Sequence, residues 1–169
     1  MKTILIVLSL AFIGFGAHAQ HDHSGHADHK QENNTPLFKD EKLGAVYPLY
    51  ITVKNALVES RAAEAKKAAS LLQTTLSAVS NGGKAAEEAA KVAATDNLSD
   101  QRKAFTALSN EMATLVKATS LLAGSVYVEY CPMANNSTGG YWLSNEQEIR
   151  NPYFGDSMLR CGSVKETIK

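Results

Sequence analysis

The stretch between residues 40 and 123 constrains the fold most, because it is rich in alanine and leucine at helical spacing and almost free of aromatic residues. From Ile51 to Val126 the only aromatic residue is Phe105. Apolar residues that recur every three or four positions form one face of an α-helix. Asn81-Gly82-Gly83 supplies a stop within the stretch. The pattern predicts four helices joined by short turns, which typically pack as an antiparallel bundle.

Several local signals predict where these helices begin. Asp40 can cap the first helix and Ser99 the fourth, since both side chains accept hydrogen bonds from free backbone N–H groups. Pro48 requires that the first helix either begin there or kink there. The second helix is expected to start at Ser60, and the third to cover about residues 84–94. The predicted buried stripe of the fourth helix consists of Phe105, Leu108, Met112, Leu115 and Leu122.

The composition changes after Val126, where six aromatic residues and both cysteines follow. Val126 to Tyr130 alternates and predicts a short strand, while Gly139-Gly140 and Asn151-Pro152 are turn signals. This part is too short for a separate domain. We therefore predict a mainly α fold, an antiparallel four-helix bundle with an irregular, aromatic C-terminal cap that contains the Cys and Met residues.

The N-terminal residues have the pattern of a secretory signal. Lys2 precedes an apolar run over residues 4–16, and Ala17-His18-Ala19 supplies small residues for cleavage after Ala19. We expect a signal peptide over residues 1–19, a disordered His-rich tail over 20–39 and a single helical domain with its cap over 40–169. No second apolar run is long enough to span a membrane. The mature protein is therefore predicted to be periplasmic or secreted, without membrane insertion.

Charge and histidine placement argue against two functional classes. Seventeen basic residues balance seventeen acidic ones, so no basic excess exists for nucleic-acid binding. A catalytic cysteine needs a positioned base, usually histidine, but all five histidines lie between residues 18 and 29. No phosphate-binding loop or Ser-His-Asp order is present. We predict that the protein is not an enzyme and does not bind nucleic acid.

Each cysteine has a methionine close by in the sequence, at Cys131-Pro132-Met133 and at Met158-Leu159-Arg160-Cys161. Thiolate and thioether are soft donors, which select Cu(I) over harder cations. In an extended segment Cys131 and Met133 lie on one side, and in a helical turn Met158 and Cys161 do the same. The four side chains are a candidate Cu(I) site.

A disulfide is the alternative for the same two cysteines. Paired cysteines in an exported chain commonly form one. Closing the loop of 30 residues between Cys131 and Cys161 contributes about 3–4 kcal/mol in the chain-entropy model. In that case the protein is a non-metal interaction module that docks an envelope or efflux adaptor protein. Methionines also fill gaps in cores, so spacing alone leaves both interpretations open.

Further side chains could assist a metal. The tail carries four histidines that can bind metal as neutral imidazoles without fixed geometry, namely His21, His23, His26 and His29. Trp142 could cap a bound Cu(I) through a cation–π contact, although a buried aromatic residue is the commoner role. We expect the histidines to be an auxiliary, lower-affinity metal site.

The C-terminal motifs resemble one known family. They are Val126-Tyr127, Cys131-Pro132-Met133-Ala134, Trp142-Leu143-Ser144, Glu148 through Asp156 and Met158-Leu159-Arg160-Cys161-Gly162, with further matches at Ala56-Leu57-Val58, Gln101 through Phe105 and Leu108-Ser109. Together they resemble the domain-of-unknown-function 3347 family over about residues 40–168. Tyr130-Cys131-Pro132-Met133 is also similar to a short heavy-metal-binding module, except that Ala134 replaces its histidine.

In that family the domain occurs alone after a signal peptide, and at the end of periplasmic adaptor proteins of copper/silver efflux systems. The resemblance implies a periplasmic helical domain linked to copper handling and brings no established activity. Combined with the soft donors, it leads us to expect a copper-binding protein that buffers Cu(I) or delivers it to an efflux adaptor.

Overall fold

The computed structural model describes residues 34–169, which form four long helices and two small antiparallel sheets. The helices are α1 (Glu41–Val58), α2 (Ala62–Leu76), α3 (Gly83–Ala93) and α4 (Leu98–Lys117). The strands are β1 (Leu37–Phe38), β2 (Leu121–Ala123), β3 (Val126–Cys131), β4 (Gly140–Ser144) and β5 (Ser163–Ile168). The predicted mainly helical fold is confirmed, with more strand than expected.

Helix α1 starts at the predicted cap. The Asp40 carboxylate accepts hydrogen bonds from the backbone N–H groups of Lys42 and Leu43, at 2.9 and 3.1 Å. Pro48 lies inside the helix, so of the two predicted alternatives, a helix that begins at Pro48 and a helix that kinks there, the first is wrong. Burial of the apolar face of α1 offsets the backbone hydrogen bond that proline cannot make.

Three other predicted boundaries differ from the structure. Ser60 has a left-handed backbone (φ 56°), so α2 begins two residues later. Asn97 caps α4 in place of Ser99, because its side-chain oxygen accepts from the N–H groups of Ser99 and Asp100. Helix α4 ends at Lys117, so Leu122 lies in β2 and is 63% exposed, which corrects its place in the buried stripe.

The rest of that stripe is buried as predicted. Phe105, Leu108 and Met112 have no exposed surface, and Leu115 has almost none. The helices pack in sequence order, α1 against α2, α2 against α3 and α3 against α4. Among the described residues, no helix is long and apolar enough to cross a membrane.

The folded part begins before the boundary that we predicted at Asp40. Strand β1 pairs with β2, and Phe38 is buried with its ring centroid 5.1 Å from that of Tyr47. Asn34 donates to the backbone oxygens of Ser125 and Asn145. Residues 34–39 therefore belong to the body. The predicted signal peptide and residues 20–33 of the predicted tail lie outside the described residues.

The C-terminal segment, residues 126–168, contains a three-stranded antiparallel sheet in the order β4-β3-β5. Strand β3 confirms the strand predicted at Val126 and extends it to Cys131. Strand β4 packs against α4, and the Tyr50 hydroxyl of α1 accepts a hydrogen bond from the Leu143 N–H at 3.0 Å. The sheet is thereby attached to the helices.

Candidate functional site

The register of the sheet brings the two cysteines together. Strands β3 and β5 are antiparallel with Tyr130 opposite Ser163. Cys131, which follows Tyr130, therefore lies beside the residues that precede Ser163. The sulfurs of Cys131 and Cys161 are 3.0 Å apart, and both are free thiols. Cys131 is completely buried, whereas Cys161 is partly exposed.

Met133 lies beside this thiol pair but not in the predicted extended segment. Its backbone is in the right-handed helical region (φ −85°, ψ −12°), because the chain turns after Cys131. Its backbone N–H lies near enough to Cys161 to favour a thiolate there. Its side chain is 47% exposed, so this methionine lies at the surface of the site.

Met158 lies three residues before Cys161 in the chain. It is the last residue of a short 3-10 helix, Gly155–Met158, and its carbonyl accepts a hydrogen bond from the Cys161 N–H at 3.0 Å. The predicted turn between Met158 and Cys161 therefore exists. Both methionines contact Cys161 through backbone groups, so the structure brings the backbones of the four predicted residues into one neighbourhood.

The thiol separation lies between the values for the two predicted chemistries. A disulfide requires about 2.05 Å between the sulfurs. Two sulfurs that each lie about 2.3 Å from one tetrahedral ion are about 3.8 Å apart. From 3.0 Å, either arrangement needs a sulfur displacement of only about 1 Å. The pair is thus arranged for bond formation or for shared metal binding.

Hydrogen bonding between the thiols affects their ionisation. The pKa of Cys161 is raised above its ordinary value, chiefly by the hydrogen bond with Cys131 and also by partial burial. The Met133 N–H acts in the opposite direction, since it stabilises a thiolate at Cys161. A metal at this site must therefore displace a proton from Cys161, which makes binding pH-dependent.

Asn151 holds the segment that carries Cys161. Its side-chain N–H group donates to the Cys161 carbonyl at 2.8 Å, and its side-chain oxygen accepts from the Tyr153 N–H at 2.8 Å. Its backbone bonds to Leu159 and Gly155, so all its polar groups are used. Asn151 is fully buried. The sequence indicated only a turn here and did not identify this supporting role.

The same segment docks on the helices at Gly155 and Arg102. Gly155 has φ +56°, and a Cβ atom there would lie 2.8 Å from the Val58 carbonyl oxygen, so only glycine fits. The Arg102 guanidinium donates to the carbonyls of Pro152 and Leu57, at 2.9 and 3.0 Å. These contacts fix the path of the chain that leads to Met158 and Cys161.

Trp142 is a buried core residue next to this path. It has no exposed surface, and its ring meets that of Tyr153 edge-on with centroids 6.0 Å apart. A Cβ atom on Gly162, the residue after Cys161, would lie 2.9 Å from the Trp142 ring. The indole therefore borders the segment of Cys161, and its burial agrees with the role of core aromatic.

Two buried charged residues near the site were not identified as functional from the sequence. Glu129 lies on β3 opposite Trp142 with no exposed surface, and neither carboxylate oxygen has a well-formed hydrogen bond among the described residues. Burial raises the pKa of Glu129 to about 8, and the positive charge of Lys54 and the nearby Trp142 indole N–H offset only part of this effect. Burial also lowers the pKa of Lys54. Strand alternation was the available signal, since it places Glu129 on the same side as Cys131.

Other metal donors are few in the part of the chain that the structure describes. Among residues 34–169, no group of three or more His, Cys, Asp or Glu side chains is placed to hold a metal ion. His21, His23, His26 and His29 lie outside the described residues. The described residues offer the thiol pair, with the two methionines beside it, as the candidate donors.

The comparison with family models agrees with the resemblance seen in the sequence. The model described as "Protein of unknown function (DUF3347)" matches residues 46–124. The matched range covers most of α1 through β2 and ends before Cys131. No curated protein and no solved structure matches the chain.

Proposed function

From the match of residues 46–124 to the DUF3347 model, we propose that this chain is a periplasmic Cu(I)-binding protein of that family. It buffers the ion or delivers it to an efflux system. Cys131 and Cys161 bind the ion, and Met133 and Met158 add thioether donors. The proposal is carried by one observation, the 3.0 Å separation of the two free thiol sulfurs.

The chemistry of the donors favours Cu(I) over other ions. Thiolate and thioether are soft ligands, and Cu(I) is the soft ion among the common biological metals. Zinc in structural sites takes four Cys, His or carboxylate ligands. Within residues 34–169 no group of even three such side chains surrounds a common point. Two thiolates with neutral thioethers suit a monovalent ion better.

Charge and burial of the thiol pair support the same choice. Two thiolates around Cu(I) leave a single negative charge, whereas two thiolates without a metal leave two. The burial of Cys131 makes uncompensated charge unfavourable, so cation binding would stabilise the deprotonated pair. Neutral thioethers complete the coordination without adding charge.

The difference in exposure between the donors suits transfer of the ion. Cys131 is buried, whereas Met133 is 47% exposed at the surface of the site. An incoming ion would contact Met133 first, and a departing ion would leave through it toward a partner. We propose that this partner is a copper/silver efflux adaptor protein, and that the four helices form an antiparallel bundle with the C-terminal segment as its cap.

Two auxiliary roles complete the proposal. His21, His23, His26 and His29 capture metal at lower affinity, and their attachment to the domain raises the local metal concentration. Trp142 supplies a cation–π contact from the side of Gly162, where an added Cβ atom would lie 2.9 Å from its ring. The signal peptide over residues 1–19 would deliver the protein to the periplasm.

A competition titration of the reduced protein with a Cu(I) chelator tests the proposal. We expect one Cu(I) per protein, and replacement of both Met133 and Met158 by Leu should weaken binding by at least about tenfold, or about 1.4 kcal/mol. Leucine keeps approximately the volume of methionine, so the fold should survive. Met112→Leu is the matched control, because Met112 lies buried in α4, outside the C-terminal segment that carries the four proposed donors.

The outcomes separate the parts of the proposal. No Cu(I) retention by the reduced wild type would end the copper hypothesis. Equal affinities for the wild type and the methionine double variant would remove the thioethers from the site. Metal retention by a Cys131→Ser variant at the wild-type level would show that the ion binds elsewhere.

The thiol separation also favours a second candidate, a non-metal module in which Cys131 and Cys161 are linked by a disulfide. This module would dock an envelope or efflux adaptor protein. It predicts no Cu(I) retention and a loss of about 2–5 kcal/mol of stability in Cys131→Ser under oxidising conditions. Denaturant unfolding of the oxidised and reduced wild type measures that contribution directly.

A further inference from the structure

We propose that Cys131 and Cys161 form a reversible dithiol–disulfide pair that reacts with low-molecular-weight disulfides, with Cys161 as the attacking thiol and Cys131 as the resolving thiol. This redox reaction needs no metal. It therefore goes beyond Cu(I) binding and can fail or succeed independently of it.

The positions of the two residues allow the bond to form within the existing fold. Cys131 ends the central strand β3, where it pairs with Gly140 of β4. Cys161 is held by Asn151 at its carbonyl and by Met158 at its N–H group. With the backbone fixed on both sides and the sulfurs 3.0 Å apart, closure requires a movement of about 1 Å.

The difference in exposure assigns the attacking role to Cys161 and the resolving role to Cys131. Cys161 is partly exposed, so an external disulfide can reach its sulfur. Cys131 has no exposed surface, so it cannot meet an external disulfide while the protein is folded. It can still attack Cys161, whose sulfur is its immediate neighbour. Reaction rates of thiols depend on such access as well as on thiolate content.

The reaction proceeds in two balanced exchange steps. The Cys161 thiolate attacks one sulfur of the external disulfide, a mixed disulfide forms, and the first external thiolate leaves. The Cys131 thiolate then attacks the Cys161 sulfur, the Cys131–Cys161 bond forms, and the second external thiolate leaves. The protein loses two electrons and two protons, and one external disulfide becomes two thiols. An excess of small thiol reverses both steps.

The redox state of the pair also bears on the proposed Cu(I) site. Oxidation would also remove both thiolates from the proposed Cu(I) site, so the redox state of the pair would control metal binding if the proposed function holds.

Mass spectrometry of the metal-free protein after incubation with glutathione disulfide tests the inference. The wild type should lose two hydrogens and retain no glutathione, and reduced glutathione should restore it. Cys131→Ser should trap one glutathione on Cys161, because no resolving thiol remains. Cys161→Ser should react at least about tenfold more slowly than Cys131→Ser, since its remaining thiol is buried.

Two controls keep the comparison independent of folding. Cys131→Ala provides a second variant that places an apolar side chain in the buried position, and circular dichroism checks that each variant is folded. Urea-unfolded Cys161→Ser should react as fast as unfolded Cys131→Ser. If the folded Cys161→Ser variant is modified as fast as Cys131→Ser, or if the wild type keeps a stable glutathione adduct, the assigned roles are wrong.

Discussion

Removal of the Tyr50 hydroxyl should weaken the attachment of the sheet to the helices. Strand β4 lies at one edge of its sheet, where its outward N–H groups have no strand partner. The Tyr50 hydroxyl accepts the Leu143 N–H at 3.0 Å and bonds to the Ser109 hydroxyl at 2.8 Å. Because all three residues are buried, water cannot replace the lost oxygen in Tyr50→Phe.

The expected loss of stability in Tyr50→Phe follows from the groups that lose a hydrogen-bond partner. A buried donor left without an acceptor costs about 1–3 kcal/mol, and the Ser109 hydroxyl loses a hydrogen bond worth about 1 kcal/mol. We therefore expect Tyr50→Phe to lower the free energy of unfolding by about 2–4 kcal/mol. A loss of this size is large against the roughly 5–15 kcal/mol that stabilises a typical domain.

Tyr47→Phe provides the matched control, because Tyr47 lies one turn earlier in α1 and is also buried. Its hydroxyl has no hydrogen-bond partner among the described residues. Removal of that hydroxyl should leave the stability unchanged or raise it by up to about 1 kcal/mol. Urea unfolding followed by circular dichroism measures both variants. Equal losses in the two variants would refute the reasoning from hydrogen-bond satisfaction.

Two further variants test the core and the buried carboxylate. Phe105→Ala should lower the free energy of unfolding by about 3–5 kcal/mol through cavity formation, because this buried ring stacks on Tyr50 at 5.4 Å between centroids. A loss below about 1 kcal/mol in denaturant melts would contradict the buried register of α4. Glu129 binds its proton more tightly in the folded state, since its pKa is raised to about 8 there, so its contribution to stability is complete at acid pH and is lost as the pH rises through 8. Wild-type stability should therefore fall by about 3 kcal/mol relative to Glu129→Gln between about pH 5 and pH 8, and parallel pH profiles of the two proteins would refute this assignment.

Local interactions explain why the helices could be predicted. The Asp40 cap, the Asn81-Gly82-Gly83 stop and the apolar periodicity act within a few residues, so they are visible in the sequence. Boundaries were less accurate, because Asn97 and Ser99 are both good caps and only the fold selects between them.

Pairing between residues far apart in the chain explains the main errors of the predictions made from the sequence. Residues 121–123 continue a helical pattern, but they pair with Leu37 and Phe38, more than eighty positions earlier in the chain. No local signal indicates this pairing, and a short apolar run is compatible with either structure. Strand β5 was missed for the same reason, since its mostly exposed residues become a strand only beside β3.

The residue types in the sequence indicate the chemistry of the candidate site, whereas its geometry depends on the tertiary structure. Two cysteines and two nearby methionines already indicated soft-metal or disulfide chemistry. The approach of Cys161 to Cys131 depends on the register of β3 against β5 and on the hydrogen bonds of Asn151. The burial of Cys131 and Glu129 is likewise decided by the elements packed over them. Residue type fixes which bonds a side chain can form, but exposure and distance depend on contacts between segments far apart in the chain.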